Sequence, residues 1–339
     1  MGGSAADPST AEKRCAMAGR LPIRASTRRF IAEARRLKSV SLFDILHGYV
    51  YQRWPYFYIK VATGEHLLSR FFTTWVQPLA GLAPKRAARA GGRFARSFAD
   101  SYHGKVLPLR SASRLVSIGR DINRGDLEKV IPYTRARDLV LENPDHIVVL
   151  DCPCRAARPH GCEPRDVCLI VGEPFASFVE EHHHGRSRRI NADEAVRILT
   201  EEDERGHVHH AFFKDAMLGR FYAICNCCSC CCGAMAAHRH GIPMLASSGF
   251  VCVVDLSLCQ GCGQCVEFCQ FGALSLTDGT SSVSADDCMG CGVCVSKCEQ
   301  GALSLRADER NGIPMEIPGD TPRAMGFLHD VAGITETGQ

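Results

Sequence analysis

The sequence lacks long apolar runs and has few aromatic residues. Aromatic side chains make up 7% of the 339 residues, and only two residues are Trp. The stretch closest to a membrane span, residues 71–83, contains Pro78 and is shorter than the roughly 20 residues that a spanning helix needs. The first fifteen residues have no apolar core, so we expect no secretory signal. No Gly-rich dinucleotide fingerprint is present, which leaves bound NAD or flavin unsupported.

Cysteine, by contrast, is abundant. The chain has 20 cysteines, and all of them except Cys15 lie between residues 152 and 298. A secreted disulfide scaffold would be shorter and would carry a signal peptide, so reduced thiols that bind metal are the better interpretation. We therefore predict a cytoplasmic protein with thiolate-bound metal.

Residues 1–104 form a basic, aromatic-rich region that we predict to be helical. Residues 1–120 carry 21 Lys and Arg against 6 Asp and Glu, a net charge of +15, whereas the remainder carries 19 against 31. The stretch 26–40 has apolar residues at helical spacing, with Ser26 or Thr27 as its cap. Three roles compete: a helical subdomain packed on the body of the protein, peripheral contact with a membrane or an acidic protein, and nucleic-acid binding. No nucleic-acid motif is present, so we expect no nucleic-acid partner.

Residues 105–249 are predicted to form a cysteine-rich α/β module. Two apolar stretches, residues 146–150 and 221–224, predict buried strands that each run into closely spaced cysteines. If these strands are neighbours in one sheet, their thiols meet. Helices are predicted over residues 131–143 and 192–205. The candidate metal ligands of the module are Cys152, Cys154, Cys162, Cys168, Cys225, Cys227, Cys228, Cys230, Cys231 and Cys232.

The six thiols in residues 225–232 cannot all reach one metal, whether they lie on a strand or on a helix. Shared sites, which take some thiols from this group and some from residues 152–168, are therefore expected. They suit one or two additional iron–sulfur clusters, or else zinc or copper, because thiolates are soft ligands. Two other interpretations stay open: buried free cysteines, and a redox-active thiol site whose base is His207, His209 or His210.

Residues 250–308 contain an internal repeat with a period of 29 residues. The segment 259–276 matches the segment 288–305 in four cysteines, three glycines and a final Ala-Leu-Ser-Leu. Each copy reads C-x2-C-x2-C-x3-C, in which three cysteines wrap round one iron–sulfur cluster and the fourth reaches the other cluster. Residues 309–339 are predicted to be a tail without a ligand cluster. The predicted ligands are Cys259, Cys262, Cys265 and Cys298 for one cluster, and Cys288, Cys291, Cys294 and Cys269 for the other.

The repeat resembles the bacterial two-cluster 4Fe–4S ferredoxin domain. The resemblance implies short hairpin strands that flank two small helices in a pseudo-twofold arrangement. That family usually has Pro after the fourth cysteine of each motif, where this chain has Gln270 and Glu299. The upstream pattern, with CPCR and CNCCSCCC, is similar to a module that precedes the repeat in a family of 4Fe–4S dicluster ferredoxin-type proteins. This second resemblance covers residues 105–308 and implies further iron–sulfur clusters.

These features together predict an α+β protein whose basic helical region precedes the cysteine-rich module and a two-cluster ferredoxin fold. We expect it to relay single electrons through two 4Fe–4S clusters, and through further clusters in the module, to a partner oxidoreductase. Nothing in the repeat looks like a substrate site, so we expect an electron carrier rather than an enzyme. The alternatives are an oxidoreductase with its active site at residues 225–232, and a membrane-docked accessory or metal-handling subunit.

Overall fold

The computed structural model describes residues 23–37, 40–67, 69, 102–119 and 142–315, and it shows a mixed α and β fold. The strands are β1 (Tyr102–Leu107), β2 (Glu142–Asp151), β3 (Asp166–Glu173), β4 (Ser187–Ile190), β5 (Val208–Lys214), β6 (Arg220–Cys227), β7 (Leu245–Ala246), β8 (Phe250–Val254), β9 (Leu274–Thr277), β10 (Thr280–Val283) and β11 (Leu303–Ala307). The helices are α1 (Ala25–Arg36), α2 (Leu42–Arg53), α3 (Pro55–Ala62), α4 (Leu109–Val116), α5 (Pro153–Ala157), α6 (Phe175–His182), α7 (Ala192–Glu204), α8 (Gly233–Arg239), α9 (Gln264–Phe268) and α10 (Val293–Ser296).

Some predicted segments fall outside this part of the chain. They are the stretch 71–83, most of the predicted helix over residues 131–143, and residues 316–339 of the predicted tail. That helix must end earlier than predicted, because β2 already begins at Glu142. Within the described ranges, no helix combines the length and the apolar character that a membrane crossing requires.

The central sheet has seven strands in the order β4-β2-β3-β6-β5-β1-β7. Its neighbours are antiparallel, except for β1 and β7, which are parallel. The two buried strands predicted over residues 146–150 and 221–224 are confirmed as parts of β2 and β6. They are not neighbours, however, because β3 lies between them. Since each is antiparallel to β3, β2 and β6 run in the same direction. The C-terminal ends of both strands therefore lie beside the N-terminal end of β3.

The core lies on both faces of this sheet. Strands β3 and β5 are buried along almost their whole length, which requires cover on each side. Helix α7 packs against β2, β3 and β5, and α4 packs against α7. Helix α6 packs against β2 and β3, and it also packs against α1 and α2. Helix α7 begins as predicted, because the Asn191 side chain accepts a hydrogen bond from the backbone N–H of Glu194.

The N-terminal helices pack on the cysteine-rich module. Phe30 is fully buried, and its ring makes an edge contact with Phe178 of α6. Helix α1 begins at Ala25, so the prediction that Ser26 or Thr27 caps it was wrong. Both residues lie inside the helix, where the Ser26 hydroxyl donates to a Glu181 carboxylate oxygen instead. The Ser26 side chain thus joins α1 to α6 and does not cap the helix to which it belongs.

The segment after residue 249 forms two small two-stranded sheets. Strand β8 pairs with β11 and β9 pairs with β10, both antiparallel. Two short helices, α9 and α10, follow Gly263 and Gly292, whose backbones have φ of 81° and 86°. These positive φ values favour glycine, which is why both repeat copies have it at this position.

Candidate iron–sulfur and metal sites

The first cavity in the C-terminal segment is lined by four cysteines that come from both copies of the repeat. Three belong to the first motif, Cys259, Cys262 and Cys265, and the fourth is Cys298 from the end of the second motif. The space between atoms there is about 370 Å³. We call this cavity and its four cysteines site I.

The second cavity repeats the arrangement with the motifs exchanged. Cys288, Cys291 and Cys294 line it together with Cys269 from the end of the first motif, and its volume is also about 370 Å³. We call it site II. A fifth thiol lies there too, because the Sγ atoms of Cys252 and Cys294 are 3.5 Å apart. The cysteines are thus grouped as the spacing predicts, although their binding of a cluster stays a prediction.

Each cavity depends on a glycine where two backbones come close together. A Cβ atom built on Gly261 would lie 2.0 Å from the carbonyl oxygen of Gly279, and one on Gly290 would lie 2.2 Å from that of Phe250. Both glycines also have positive φ, 67° and 61°. A side chain at Gly261 would push the cysteine loop away from the turn between β9 and β10, and one at Gly290 would push it away from β8.

Hydrogen bonds from the chain reach the cysteine sulfurs of both sites. The backbone N–H of Ser281 donates to Cys259 Sγ at 3.4 Å, and its hydroxyl lies 3.3 Å from Cys265 Sγ. Such donors stabilise negative charge on sulfur and raise the reduction potential of a bound cluster. Further backbone donors are Ala302 to Cys298 in site I, and Ala273 to Cys269 and Cys252 to Cys288 in site II.

The two sites differ in exposure. Cys262 of site I is exposed, and Cys259 and Cys298 are half-buried. Site II lies deeper, because Cys288 and Cys294 are both buried. Between them, Met289 and Val293 belong to the main hydrophobic core. By the exposure of its cysteines, site I is therefore the more accessible of the two to solvent.

Residues next to site II attach it to the cysteine-rich module. Gln270, which follows the ligand candidate Cys269, accepts a hydrogen bond from the backbone N–H of Ser229 at 2.8 Å and donates to the carbonyl oxygen of Gly206 at 3.0 Å. Lys297, which lines site I next to Cys298, also attaches the repeat to the module, because its Nζ donates to the carbonyl oxygen of Glu204 at 2.6 Å. A proline at position 270 could make neither side-chain bond, so the departure from the ferredoxin pattern has a structural role here. Glu299, the equivalent residue of the second motif, is exposed.

The ten module cysteines separate into two groups. The first group contains six thiols at the sheet edge where β2 ends and β3 begins. Cys152 is hydrogen-bonded to Cys154 and Cys168, and Cys168 is in turn hydrogen-bonded to Cys225. The contacts continue from Cys154 to Cys232 and from Cys232 to Cys227. We call these residues the six-thiol group: Cys152, Cys154, Cys168, Cys225, Cys227 and Cys232.

The remaining four module thiols form a tighter cluster nearer the surface. The sulfur of Cys162 lies 3.2 Å from that of Cys230 and 3.7 Å from that of Cys231, and the last two are 3.6 Å apart. Cys228 completes the cluster, and all four sulfurs lie within 4.8 Å of one another. We call it the four-thiol group.

The local conformation explains this division. Strand β6 ends at Cys227, and the next residues form a turn before α8 begins at Gly233. Residues 225–232 therefore form neither a continuous strand nor a continuous helix, the two conformations considered from the sequence. The turn directs Cys228, Cys230 and Cys231 to one group and returns Cys232 to the other.

A buried arginine supports the six-thiol group, and sequence reasoning did not single it out. Arg155 is 1% exposed and donates to a carboxylate oxygen of Glu202 and to the carbonyl oxygen of Asn226. His207 Nδ1 lies 2.7 Å from the same Glu202 carboxylate. In the sequence, Arg155 directly follows the Cys-Pro-Cys step. Its burial is possible because Glu202 is buried beside it, since a buried charge needs a partner.

Burial and thiol contacts hold most of these sulfurs in the protonated form. The hydrogen bond to Cys152 raises the pKa of both Cys154 and Cys168. Burial raises the pKa of Cys162 to about 11 and that of Cys291 well above its usual range. Because thiolates are the form that binds metal, cation binding at these sites must release protons.

The histidines considered as a thiol base are engaged or deeply buried. His207 pairs with Glu202, and His209 Nδ1 lies 2.6 Å from Asn226 Oδ1. His210 is fully buried, and burial lowers its pKa to about 3. None of the three is shown in contact with a cysteine sulfur in the described residues, so the geometry gives no support to an acid–base thiol site.

Comparison with known proteins bears on the C-terminal segment. Residues 258–303 match the family model of the 4Fe-4S dicluster domain. A search of the curated proteins found no match. The match covers sites I and II and does not reach the cysteine-rich module. Residues 258–303 are therefore similar to a ferredoxin-type 4Fe–4S domain, within a longer chain of mixed α and β structure.

Proposed function

We propose that this protein relays single electrons through two 4Fe–4S clusters, one held by site I and one by site II. When bound, each cluster takes up and releases one electron with little rearrangement. We further propose that the six-thiol group holds an additional iron–sulfur cluster, so that the relay continues into the cysteine-rich module. The observation that supports this proposal most directly is the pair of cavities that are each lined by four cysteines drawn from both motifs.

The relay requires the two sites to lie close together. Helices α9 and α10, which each carry one cysteine of the two motifs, pack against each other. Burial raises the pKa of Cys265 in site I, and the charge on Cys294 in site II raises it further. A charge in one site is therefore felt in the other, as expected for neighbouring redox centres.

Site I is suited to exchange electrons with a partner oxidoreductase. Leu256, Leu258 and Leu276 near it are 64%, 47% and 48% exposed. Residues 250–308 carry seven acidic and two basic side chains, a net charge of −5. An apolar patch with an acidic surround fits a partner face that is apolar at its centre and basic at its rim.

Site II is suited to pass electrons onward within the chain. Its neighbours Phe268 and Phe271 pack against the core of the cysteine-rich module. Gln270 then connects the Cys269 loop to Ser229, which lies between two module cysteines. The covalent and hydrogen-bonded path from Cys269 to this stretch is short.

Iron counting on paired variants tests the ligand assignment. If Cys262 and Cys298 serve one cluster, the variant Cys262→Ala/Cys298→Ala should lose about four irons per chain after anaerobic purification. If Cys291 and Cys298 serve different clusters, Cys291→Ala/Cys298→Ala should lose about eight. The reverse pattern would mean that each motif keeps its own fourth cysteine, and it would refute the assignment.

The remaining signals provide the control for these variants. EPR of the reduced protein should retain one intact cluster signal in the first double variant and none from the repeat in the second. Iron above about eight per wild-type chain, with matching sulfide, would support a further cluster in the module. Colourless, iron-free protein from oxygen-free cells would refute the proposal.

We also propose that the N-terminal region docks on an anionic surface, of a membrane or of an acidic protein. Leu42, Phe43 and Leu46 at the start of α2 are exposed, next to a strongly basic part of the chain. Co-sedimentation with anionic vesicles tests the membrane case, and binding should weaken as salt is added. Equal binding by Leu42→Ser/Phe43→Ser/Leu46→Ser and wild-type protein would refute the role of these residues. Because thiols that bind metal must stay reduced, we also propose a cytoplasmic location.

A further inference from the structure

The four-thiol group has spacings that distinguish one kind of metal centre from another. Three of its sulfur–sulfur distances are 3.2, 3.6 and 3.7 Å, and the fourth sulfur, that of Cys228, lies within 4.8 Å of the others. Among the residues that the structure describes, no other group of three or more Cys, His, Asp or Glu ligand atoms is this compact. The cysteines of sites I and II, which do line cavities, are spread more widely.

Elementary geometry relates these distances to the number of metal ions. A single ion with four thiolates at about 2.3 Å in a tetrahedron separates its sulfurs by about 3.8 Å. A cubane places four irons between its cysteine sulfurs, which then lie roughly 6 Å apart. The observed values of 3.2 to 3.7 Å, with every pair within 4.8 Å, are closer to the first case than to the second.

The chain around the group supplies the usual supports of a thiolate site. The backbone N–H of Cys162 donates to the sulfur of Cys231 at 3.4 Å. Arg239 of α8 donates to the carbonyl oxygen of Ser229, and so brings a positive charge to the turn that carries three of the four sulfurs. Four thiolates with one divalent cation keep a charge of −2, which such donors stabilise.

We propose that Cys162, Cys228, Cys230 and Cys231 bind one tetrahedral divalent ion, Zn²⁺ or Fe²⁺, rather than an iron–sulfur cubane. Both ions take four cysteine thiolates, and the geometry is common to them. The ion joins the loop between α5 and β3 to the turn after β6, two segments that are 66 to 69 residues apart in the sequence. It thereby fixes Ser229, and with it the hydrogen bond to Gln270. This inference does not rest on the proposed electron relay. Either proposal can be refuted while the other stands.

The test compares the variant Cys162→Ala/Cys230→Ala with the wild type, both purified without oxygen. We expect the wild type to contain one zinc, or one iron that is not matched by sulfide, in addition to its cluster iron. The variant should lose that single ion and keep its cluster iron and its reduced EPR signals. Cys15→Ala, which removes a cysteine outside both groups, should lose nothing.

The nature of the lost metal decides the outcome. Loss of about four irons with about four sulfides would show a cubane at this group and overturn the inference, and so would loss of no metal at all. If the double variant does not fold, X-ray absorption of the wild type replaces it. A shell of four sulfurs at about 2.3 Å around zinc supports the proposal, and a zinc-free protein whose iron spectra contain only cluster iron overturns it.

Discussion

The attachment of site II to the cysteine-rich module depends on one side chain that can be tested alone. Gln270 makes two hydrogen bonds across this contact, to the N–H of Ser229 and to the carbonyl oxygen of Gly206. The variant Gln270→Ala removes both and leaves the cysteine ligands in place. Each such bond contributes about 0.5–1.5 kcal/mol net, so we expect a loss of about 1–3 kcal/mol in the free energy of unfolding.

Thermal melting of anaerobic holoprotein measures this loss. For a chain of this size, about 1 kcal/mol lowers the melting temperature by roughly 1–2 °C. Gln260→Ala is the matched control, because Gln260 also makes a side-chain hydrogen bond in the repeat, to Gln300, but both residues are exposed. Its effect should stay within about 0.5 kcal/mol. If the two variants melt alike, the Gln270 contact does not hold the domains together and the proposed route from site II loses its support.

Two further predictions concern charge. Ser281→Ala removes the hydroxyl that lies 3.3 Å from Cys265 Sγ. Because a donor to sulfur favours the reduced, more negative cluster, the variant should lower the reduction potential of a cluster in site I by about 20–65 mV. An unchanged potential in redox-titrated EPR would contradict the assignment of that hydroxyl as a donor. His146→Gln removes the buried contact with Glu173, which raises the pKa of His146 above 6.5 in the folded protein. The contact's contribution to stability is therefore full below about pH 6.5 and is lost as the pH rises through the higher folded pKa. The melting temperature of the wild type should exceed that of the variant by more at pH 6 than at pH 8.5, and a constant difference would show that His146 does not titrate as described.

The ferredoxin-type segment was the most predictable part of the chain. Its cysteine spacing is local, since three sulfurs and two glycines within a few residues determine one loop. Cys269 and Cys298 could be assigned to the opposite loops for the same reason, because a short helix carries each of them away from its own motif. The structure groups them in that way.

The module could be predicted only in outline. Periodicity identified β2 and β6, but it could not show that β3 would lie between them, because strand order depends on long-range packing. It also failed after Cys227, where a turn replaces any regular element. The division of the ten thiols follows from that turn and from β3, and neither has a local signal.

Two residues illustrate what pattern alone could not assign. Cys252 belongs to no cysteine motif and is buried in β8, but it also lies beside Cys294 in site II. Gln270 was noticed only as a missing proline. Its role became apparent when Ser229 and Gly206 were found beside it, and those residues are 41 and 64 positions away in the sequence.

The unequal depth of sites I and II has a consequence for how the protein ages in air. The duplicated motif builds two nearly identical cages, but Cys262 is open to dissolved oxygen and to chelators, whereas Cys288 and Cys294 are sheltered. Oxidation should therefore remove the cluster of site I before that of site II. A stored sample would then pass through a half-loaded form, in which site II keeps its iron after site I, the proposed point of electron exchange, has lost its own.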